Sequence, residues 1–171
     1  EQGGLLGPIT EIVVAKALRQ LREWHSIGLP DMRVAINLAG CQLGERNLPA
    51  FFAEAATEFG VSPSQIEIEF PETALSNRSA GDVLRAMKEL QLLLAIDDFG
   101  TGGCSITDLK RLPVDTIKIA PMLIRNMIDH SDDAAIVQAM ITMGRALDLR
   151  VIAEGVETKE QFSWLLKSRC N

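Results

Sequence analysis

The chain has 171 residues, of which 47% are hydrophobic and 23% charged, and its formal net charge is −6. This is the composition of one globular domain with a buried core, and the negative charge argues against nonspecific binding to nucleic acid or anionic membranes. Cys41, Cys104 and Cys170 form no CxxC pair, which predicts a reducing compartment and no zinc site. We find no apolar run of the roughly 18 residues that span a membrane and no signal peptide, so we expect a cytoplasmic domain, free or as the cytoplasmic part of a larger membrane-anchored protein.

Helical and strand periodicities alternate along the chain. In order, they predict a helix over 8–27, a strand over 32–38, a helix over 48–59, a strand over 66–70, a helix over 80–92, a strand from 93, a helix over 106–112, a strand over 116–119, a helical turn over 122–128, a helix over 132–147, a strand over 151–154 and a helix over 158–167. Such alternation predicts an α/β fold with a parallel sheet, either an open doubly wound sheet or a (β/α) barrel. A full barrel needs about 250 residues, so about five β/α units would make an incomplete one.

The third predicted strand has an unusual end. The apolar run that starts at Leu93 stops at the adjacent carboxylates Asp97 and Asp98, and a glycine-rich turn follows to Gly102. The carboxyl end of a buried parallel strand is where α/β proteins place their chemistry. Taken alone, either aspartate could simply cap the following turn.

A polar side chain stands at or near the end of each predicted strand. These side chains are Asn37, Glu69, Asp97, Lys118 and Glu154. Alternation along a strand puts Ile68 on the helix side and Glu69 on the opposite side, and Ile117 and Lys118 alternate in the same way. An open sheet would spread the five side chains over roughly 20 Å, whereas a barrel would gather them at one mouth. Their convergence therefore favours the barrel.

This residue set suits one kind of chemistry. Oxygen ligands without nearby Cys or His fit a hard cation such as Mg²⁺ or Mn²⁺. Asp97 and Asp98 together could serve two metals about 4 Å apart, the arrangement that polarises a phosphodiester. Lys118 would stabilise developing negative charge or hold the attacking water, and Glu154 could accept its proton. Taken individually, Asn37 could be a cap or turn residue, Lys118 a partner for one acid and Glu154 a solvated loop residue.

The same residues resemble the EAL domain, the bacterial cyclic di-GMP phosphodiesterase family. The matching segments are Ile36-Asn37-Leu38 with Gln42, the Glu-x-x-Glu motif within 66–72, Asp-Asp-Phe-Gly-Thr-Gly at 97–102, 112–119, and Ala-Glu-Gly-Val-Glu at 153–157 with Gln161. The resemblance implies a TIM-like barrel that hydrolyses cyclic di-GMP to a linear dinucleotide with Mg²⁺ or Mn²⁺.

Roles for individual residues follow from the resemblance. It implies that the metal is bound by Asn37, Glu69, Asp97 and Asp98. It further implies that Lys118 positions water, that Glu154 is the base and that Glu157 supports the site from behind. Glu72 would hold the loop after the third strand, which contains Gly100, Thr101 and Gly102. The family often dimerises through that loop, so we expect a homodimer, with a sensor or GGDEF-type domain as a candidate neighbour in the parent chain.

The sequence also departs from the family pattern. Pro71 replaces a threonine, Gly103 and Cys104 replace Tyr-Ser, and Ala120 replaces an aspartate. We expect residues 1–171 to be a single EAL-like domain without the Glu-Ala-Leu strand and the last strand, and therefore a weak or inactive catalyst alone. One alternative is a degenerate EAL module that binds cyclic di-GMP or a protein partner without catalysis. A barrel enzyme of the enolase type is another, which the motif at 97–102 does not fit.

Overall fold

The structure is a computed structural model and describes residues 6–45, 47–76, 79–102 and 104–170. The strands are β1 (Val34–Asn37), β2 (Ile66–Pro71), β3 (Leu93–Phe99), β4 (Thr116–Ile119) and β5 (Arg150–Ala153). The α-helices are α1 (Leu6–Ser26), α2 (Gln42–Glu45), α3 (Leu48–Phe59), α4 (Ala80–Glu89), α5 (Ile106–Leu109), α6 (Pro121–Asn126), α7 (Ser131–Ala146) and α8 (Lys159–Lys167).

The five strands form one parallel sheet in the order β1-β2-β3-β4-β5. The sheet is strongly curved. This is shown by a side-chain nitrogen of Arg150 on β5, which lies 2.6 Å from a carboxylate oxygen of Glu67 on β2. In a flat sheet these two strands would be about 14 Å apart, at about 4.8 Å per strand. The architecture is thus an α/β fold with the curvature of an incomplete barrel, as the alternation of elements predicted.

The hydrophobic core lies between the outer face of the sheet and the helices. Ile66, Ile68 and Phe70 alternate along β2 and are completely buried. The close approach of α7 to the sheet depends on Gly144, where an added Cβ would lie 2.3 Å from a methyl of Val151. Packing of the apolar positions outward leaves the intervening polar residues of each strand on the inner face of the sheet.

Most predicted elements are confirmed, and several details differ. Strand β1 begins at Val34 rather than at residue 32, and helix α5 ends at Leu109 rather than at residue 112. Helix α4 ends at Glu89 rather than near residue 92, because the backbone turns at Gln91 with φ of 67°. Strand β3 continues through both aspartates to Phe99, with an irregularity after Ile96 that shifts its register against β4. Helix α2 and two short 3₁₀ helices were not predicted, since three to five residues are too few for a recognisable period.

Helix α3 has the predicted bounds, and Gly60 ends it in a left-handed conformation. Helix α8 begins as predicted at a cap formed by Thr158, whose hydroxyl accepts a hydrogen bond from the backbone N–H of Gln161. Within the described ranges, no helix combines the length and the apolar character that crossing a membrane requires.

Candidate active site

The polar residues singled out at the strand ends lie along the carboxyl edge of the sheet. Asn37 is the last residue of β1 and stands opposite Glu69 of β2 in the parallel register. Asp97 lies opposite Pro71, near the end of β3. Lys118 is on β4, and Glu154 directly follows β5. The strands therefore deliver these residues to the same edge.

Lys118 is the centre to which three of the carboxylates converge. Its Nζ lies 2.6 Å from Oε1 of Glu154 and 2.9 Å from Oε1 of Glu69. The nearer oxygen of Asp97 lies 4.0 Å away. Side chains from β2, β3, β4 and the end of β5 thus meet around one ammonium, which only a curved sheet permits.

The environment of Lys118 favours its charged form. Only 12% of the side chain is exposed, and this burial alone would lower the pKa of the ammonium. Hydrogen bonds to Glu154 and Glu69, together with the charges of Glu69 and Asp97, outweigh burial and raise the pKa above its ordinary value. Lys118 is therefore a permanent cation that can face developing negative charge.

Asn37 and Asp98 stand at the margin of this cluster. Both residues are exposed, and the backbone of Asp98 has φ of 51°. The backbone N–H of Asp98 donates to Oδ1 of Asp97 at 3.0 Å, and the hydroxyl of Thr101 donates to the carbonyl of Asp98 at 2.9 Å. Of the predicted metal ligands, Glu69 and Asp97 form ion pairs with Lys118, whereas the carboxylate of Asp98 does not and the amide of Asn37 is uncharged.

Glu72 organises the loop that follows β3. This glutamate is buried at 2% exposure, and its Oε2 accepts hydrogen bonds from the backbone N–H groups of Gly100 and Gly102 at 2.9 and 3.2 Å. Its Oε1 accepts from the backbone N–H of Cys104 at 2.8 Å. One carboxylate thus fixes three points of the loop that begins right after Phe99, the last residue of β3.

The side chain of Gln161 forms a group of hydrogen bonds with the segment that follows Glu154. The side-chain oxygen of the buried Gln161 accepts hydrogen bonds from the backbone N–H groups of Glu157 and Thr158 at 2.7 and 2.9 Å. Its amide nitrogen donates to the carbonyl of Ile124 on α6 at 3.2 Å. Glu157 itself is exposed. These hydrogen bonds connect the loop after Glu154 to α6, the helix that follows β4.

The positions where the sequence departs from the family pattern take three different places. Pro71 is half-buried at the end of β2. Ala120 is buried at 1% exposure, donates its backbone N–H to Phe99 and precedes Pro121, the first residue of α6. Cys104 anchors the loop on Glu72, as described above, and Gly103 lies outside the described residues.

The donor chemistry fits a hard cation. The predicted ligands Asn37, Glu69, Asp97 and Asp98 offer only oxygen atoms suited to Mg²⁺ or Mn²⁺. Within the described ranges, no three His, Cys, Asp or Glu residues are grouped closely enough to hold an ion by themselves. The carboxylates are arranged around the ammonium of Lys118, and their role as metal ligands stays a prediction.

One ion pair on the inner face was not predicted. Glu67 has only 10% of its side chain exposed, and it pairs with Arg150 across the sheet. Its inward position follows from the alternation of β2, and a buried carboxylate calls for a cation. The sequence could not predict that this cation is Arg150, because Arg150 is 83 residues away along the chain. It contacts Glu67 only because the sheet is curved.

Comparison with known proteins places this geometry in a family. The sequence profile of the EAL domain matches residues 1–171. The chain is 38% identical over 173 residues to the bifunctional diguanylate cyclase/cyclic di-GMP phosphodiesterase MucR of Pseudomonas aeruginosa, covering 100% of this chain and 25% of MucR. It is 35% identical over 172 residues to the cyclic di-GMP phosphodiesterase NbdA of the same species, covering 99% of this chain and 22% of NbdA. The chain thus spans about a quarter or less of the length of these relatives.

Solved structures agree with the sequence relatives. The MucR phosphodiesterase in complex with cyclic di-GMP superposes with a TM-score of 0.94 at 36% identity, over 98% of this chain and 69% of that one. A manganese and cyclic di-GMP complex of Klebsiella pneumoniae BlrP1 superposes with a TM-score of 0.80 at 28% identity, over 92% of this chain and 41% of that one. These likenesses confirm the TIM-like barrel fold. Together, the family profile over every residue, the shared fold and the polar strand ends show that this chain belongs to the EAL domain family.

Proposed function

We propose that this domain hydrolyses cyclic di-GMP to linear pGpG in a reaction that depends on a divalent metal. The observation that carries the proposal is the convergence of Glu69, Asp97 and Glu154 on Lys118 at the carboxyl edge of the sheet. Relatives described as cyclic di-GMP phosphodiesterases, and the MucR complex with cyclic di-GMP, support the choice of substrate.

Each member of the cluster has a distinct part in the proposal. The ammonium of Lys118 faces the phosphodiester and offsets the negative charge that grows on its oxygens, or it holds the attacking water in place. Glu154, whose Oε1 lies 2.6 Å from that ammonium, accepts the proton of the water. The hydrogen bond from Lys118 holds the carboxylate of Glu154 in one orientation until substrate arrives.

The metal would be held by oxygen donors of this chain. Asn37, Glu69, Asp97 and Asp98 are the residues proposed to bind Mg²⁺ or Mn²⁺. A bound divalent cation supplies charge neutralisation at the phosphodiester and a lowered pKa of water. The hydrogen bond from the backbone of Asp98 to Asp97 and the loop held by Glu72 would keep these donors in place.

The direct test is turnover of cyclic di-GMP by the full-length protein that contains this chain. Purified protein is incubated with Mn²⁺ and with Mg²⁺, and a parallel sample contains EDTA. We expect linear pGpG to accumulate with metal and to stop with EDTA. Absence of product with either metal, in a protein that circular dichroism reports as folded, would contradict the proposal.

A second candidate is a module that binds cyclic di-GMP without hydrolysing it. The observation in its favour is that the carboxylate of Glu154 is already engaged by Lys118 at 2.6 Å. Calorimetry on the same protein separates the two candidates. Binding of cyclic di-GMP without formation of pGpG would favour the module, and binding followed by turnover would favour the enzyme.

We propose a cytoplasmic, homodimeric domain of a longer protein with a sensor or GGDEF-type neighbour, as the bifunctional relative MucR suggests. The extent of the domain, taken as residues 1–171 plus a Glu-Ala-Leu strand before it and a last strand after it, is part of the same proposal. Light scattering on the full-length protein would test the dimer, and a clean monomer would contradict it.

A further inference from the structure

Beneath the Lys118 cluster lies a second charged layer on the inner face of the sheet. Glu67 precedes Glu69 by two residues on β2, so both side chains are on the same face, about 7 Å apart along the strand. Arg150 contacts Glu67 at 2.6 Å. The side chain of Glu67 is 10% exposed and that of Arg150 is 45% exposed, so the glutamate is the buried partner.

Each of the two layers, the Lys118 cluster above and the Glu67 pair below, contains its own cation. Four carboxylates on the inner face take part in ion pairs, and the described residues that pair with them are Lys118 and Arg150. Lys118 pairs with Glu69, Asp97 and Glu154, and it has no ion pair with Glu67. Arg150 pairs with Glu67. The three carboxylates of the Lys118 cluster and the carboxylate of Glu67 are thus paired with different cations.

We propose that Arg150 is a positioning residue that keeps Lys118 in the upper layer by neutralising Glu67. The inference rests on the proposed function, since it assigns Arg150 a part in the same site. Among the described residues, Arg150 forms its ion pair with Glu67, whereas Glu69, Asp97 and Glu154 pair with Lys118.

The physical reason is competition for a single flexible cation. A buried carboxylate without a counterion is strongly disfavoured, and a lysine has a long stem that can reorient to reach it. The inner-face residue that precedes Lys118 on β4 is Thr116, and its cross-strand neighbour on β3 is Ala95. Both are small, so no large side chain from these positions separates the two layers. Without Arg150, Glu67 draws the ammonium of Lys118 toward it, and Glu154 loses its partner.

Three variants of the full-length protein and one control variant test this proposal by steady-state turnover of cyclic di-GMP. Arg150→Met is expected to lower kcat about tenfold or more, with a change in KM of less than about threefold. Glu67→Gln combined with Arg150→Met removes the stranded carboxylate and is expected to recover kcat to within about threefold of wild type. Arg150→Lys keeps the charge and is expected to retain activity.

The matched control is Lys88→Met. Lys88 also pairs with a carboxylate at 2.6 Å, that of Asp115, and its side chain is 35% exposed, but the pair joins α4 to the start of β4. Its loss is expected to lower stability without changing kcat. If Arg150 acted only as a tie between β2 and β5, the double variant would be as slow as Arg150→Met, and that result would overturn the proposal, as would an unchanged kcat in Arg150→Met.

A crystal structure of Arg150→Met gives a readout that does not depend on turnover. The proposal expects Lys118 Nζ to leave hydrogen-bond distance of Glu154, which is 2.6 Å in the wild type. Inactive wild-type protein with this displacement in the variant would refute the proposed function and support the positioning role. Active wild type with an undisplaced Lys118 in the variant would refute the positioning role alone.

Discussion

Glu72 is the single side chain on which the loop after β3 depends most. Its carboxylate accepts three backbone hydrogen bonds, from Gly100, Gly102 and Cys104. Glu72→Gln replaces one of the two acceptor oxygens by an NH₂ group, which would face a backbone donor. We expect the free energy of unfolding to fall by about 1–3 kcal/mol, measured by urea denaturation. An unchanged urea midpoint would show that the loop does not need the carboxylate.

Cys104 is predicted to be a slow nucleophile despite its place beside the site. Burial, together with the charges of Glu72 and Asp108, raises the pKa of this thiol to about 11. In a variant with Cys41→Ser and Cys170→Ser, alkylation at pH 9 should be roughly 50-fold slower in the native protein than in guanidinium, because the native thiolate is scarce. Equal rates in the two states would contradict the assignment.

The same shift has a consequence for stability. Below pH 9 the thiol keeps its proton in both the native and the unfolded state, since its ordinary pKa is 9.0. Between that pH and the native pKa of about 11, only the unfolded state releases the proton. The contribution of Cys104 to stability is therefore complete below pH 9 and is lost as the pH rises toward 11. Cys104→Ala should remove this part of the pH dependence.

Helix α7 packs so closely on the sheet that Gly144 leaves no room for a larger residue. An added Cβ at Gly144 would lie 2.3 Å from Val151 Cγ2 and 3.3 Å from Ile117 Cδ1, on two neighbouring strands. Gly144→Ala should therefore destabilise the domain by about 1–3 kcal/mol, although alanine is the better helix former. Thermal denaturation followed by circular dichroism would measure the loss.

The control for α7 is another glycine inside a helix. At Gly81 on α4, the nearest atom to an added Cβ is a side-chain nitrogen of Arg85 at 3.6 Å, an ordinary contact distance. Gly81→Ala should be neutral or stabilising by up to about 1 kcal/mol. Equal effects of the two substitutions would mean that helix propensity, and not the approach of α7 to the sheet, sets the result.

Across the whole molecule, the sequence predicts the features that follow from the alternation of apolar and polar residues along each strand. The alternation of Ile68 with Glu69, and of Ile117 with Lys118, is enough to assign strand residues to the outer or the inner face of the sheet. The acidic end of β3 and the polar strand ends pointed to one edge of the sheet. These features could be predicted because each depends on neighbours within a few residues along the chain.

The features that could not be predicted depend on curvature. Glu67 and Arg150 belong to strands that are not neighbours, so neither periodicity nor spacing links them. The gathering of the polar strand ends at one mouth was predicted, but which carboxylates meet at Lys118 depends on how far the sheet bends, and a list of strands does not specify that. The hydrogen bonds from Gln161 on α8 to backbone carbonyls of α6 also could not be predicted, because backbone carbonyls carry no sequence signature.

The central claim is that the residues gathered around Lys118 carry out hydrolysis of cyclic di-GMP. Its most direct test compares Glu154→Gln with Glu160→Gln, an exposed glutamate in the first turn of α8. Initial rates of pGpG formation are measured with Mn²⁺ in the full-length protein. The account predicts that Glu160→Gln matches wild type and that Glu154→Gln is slower by about 100-fold or more. A Glu154→Gln variant that keeps the wild-type rate would contradict it.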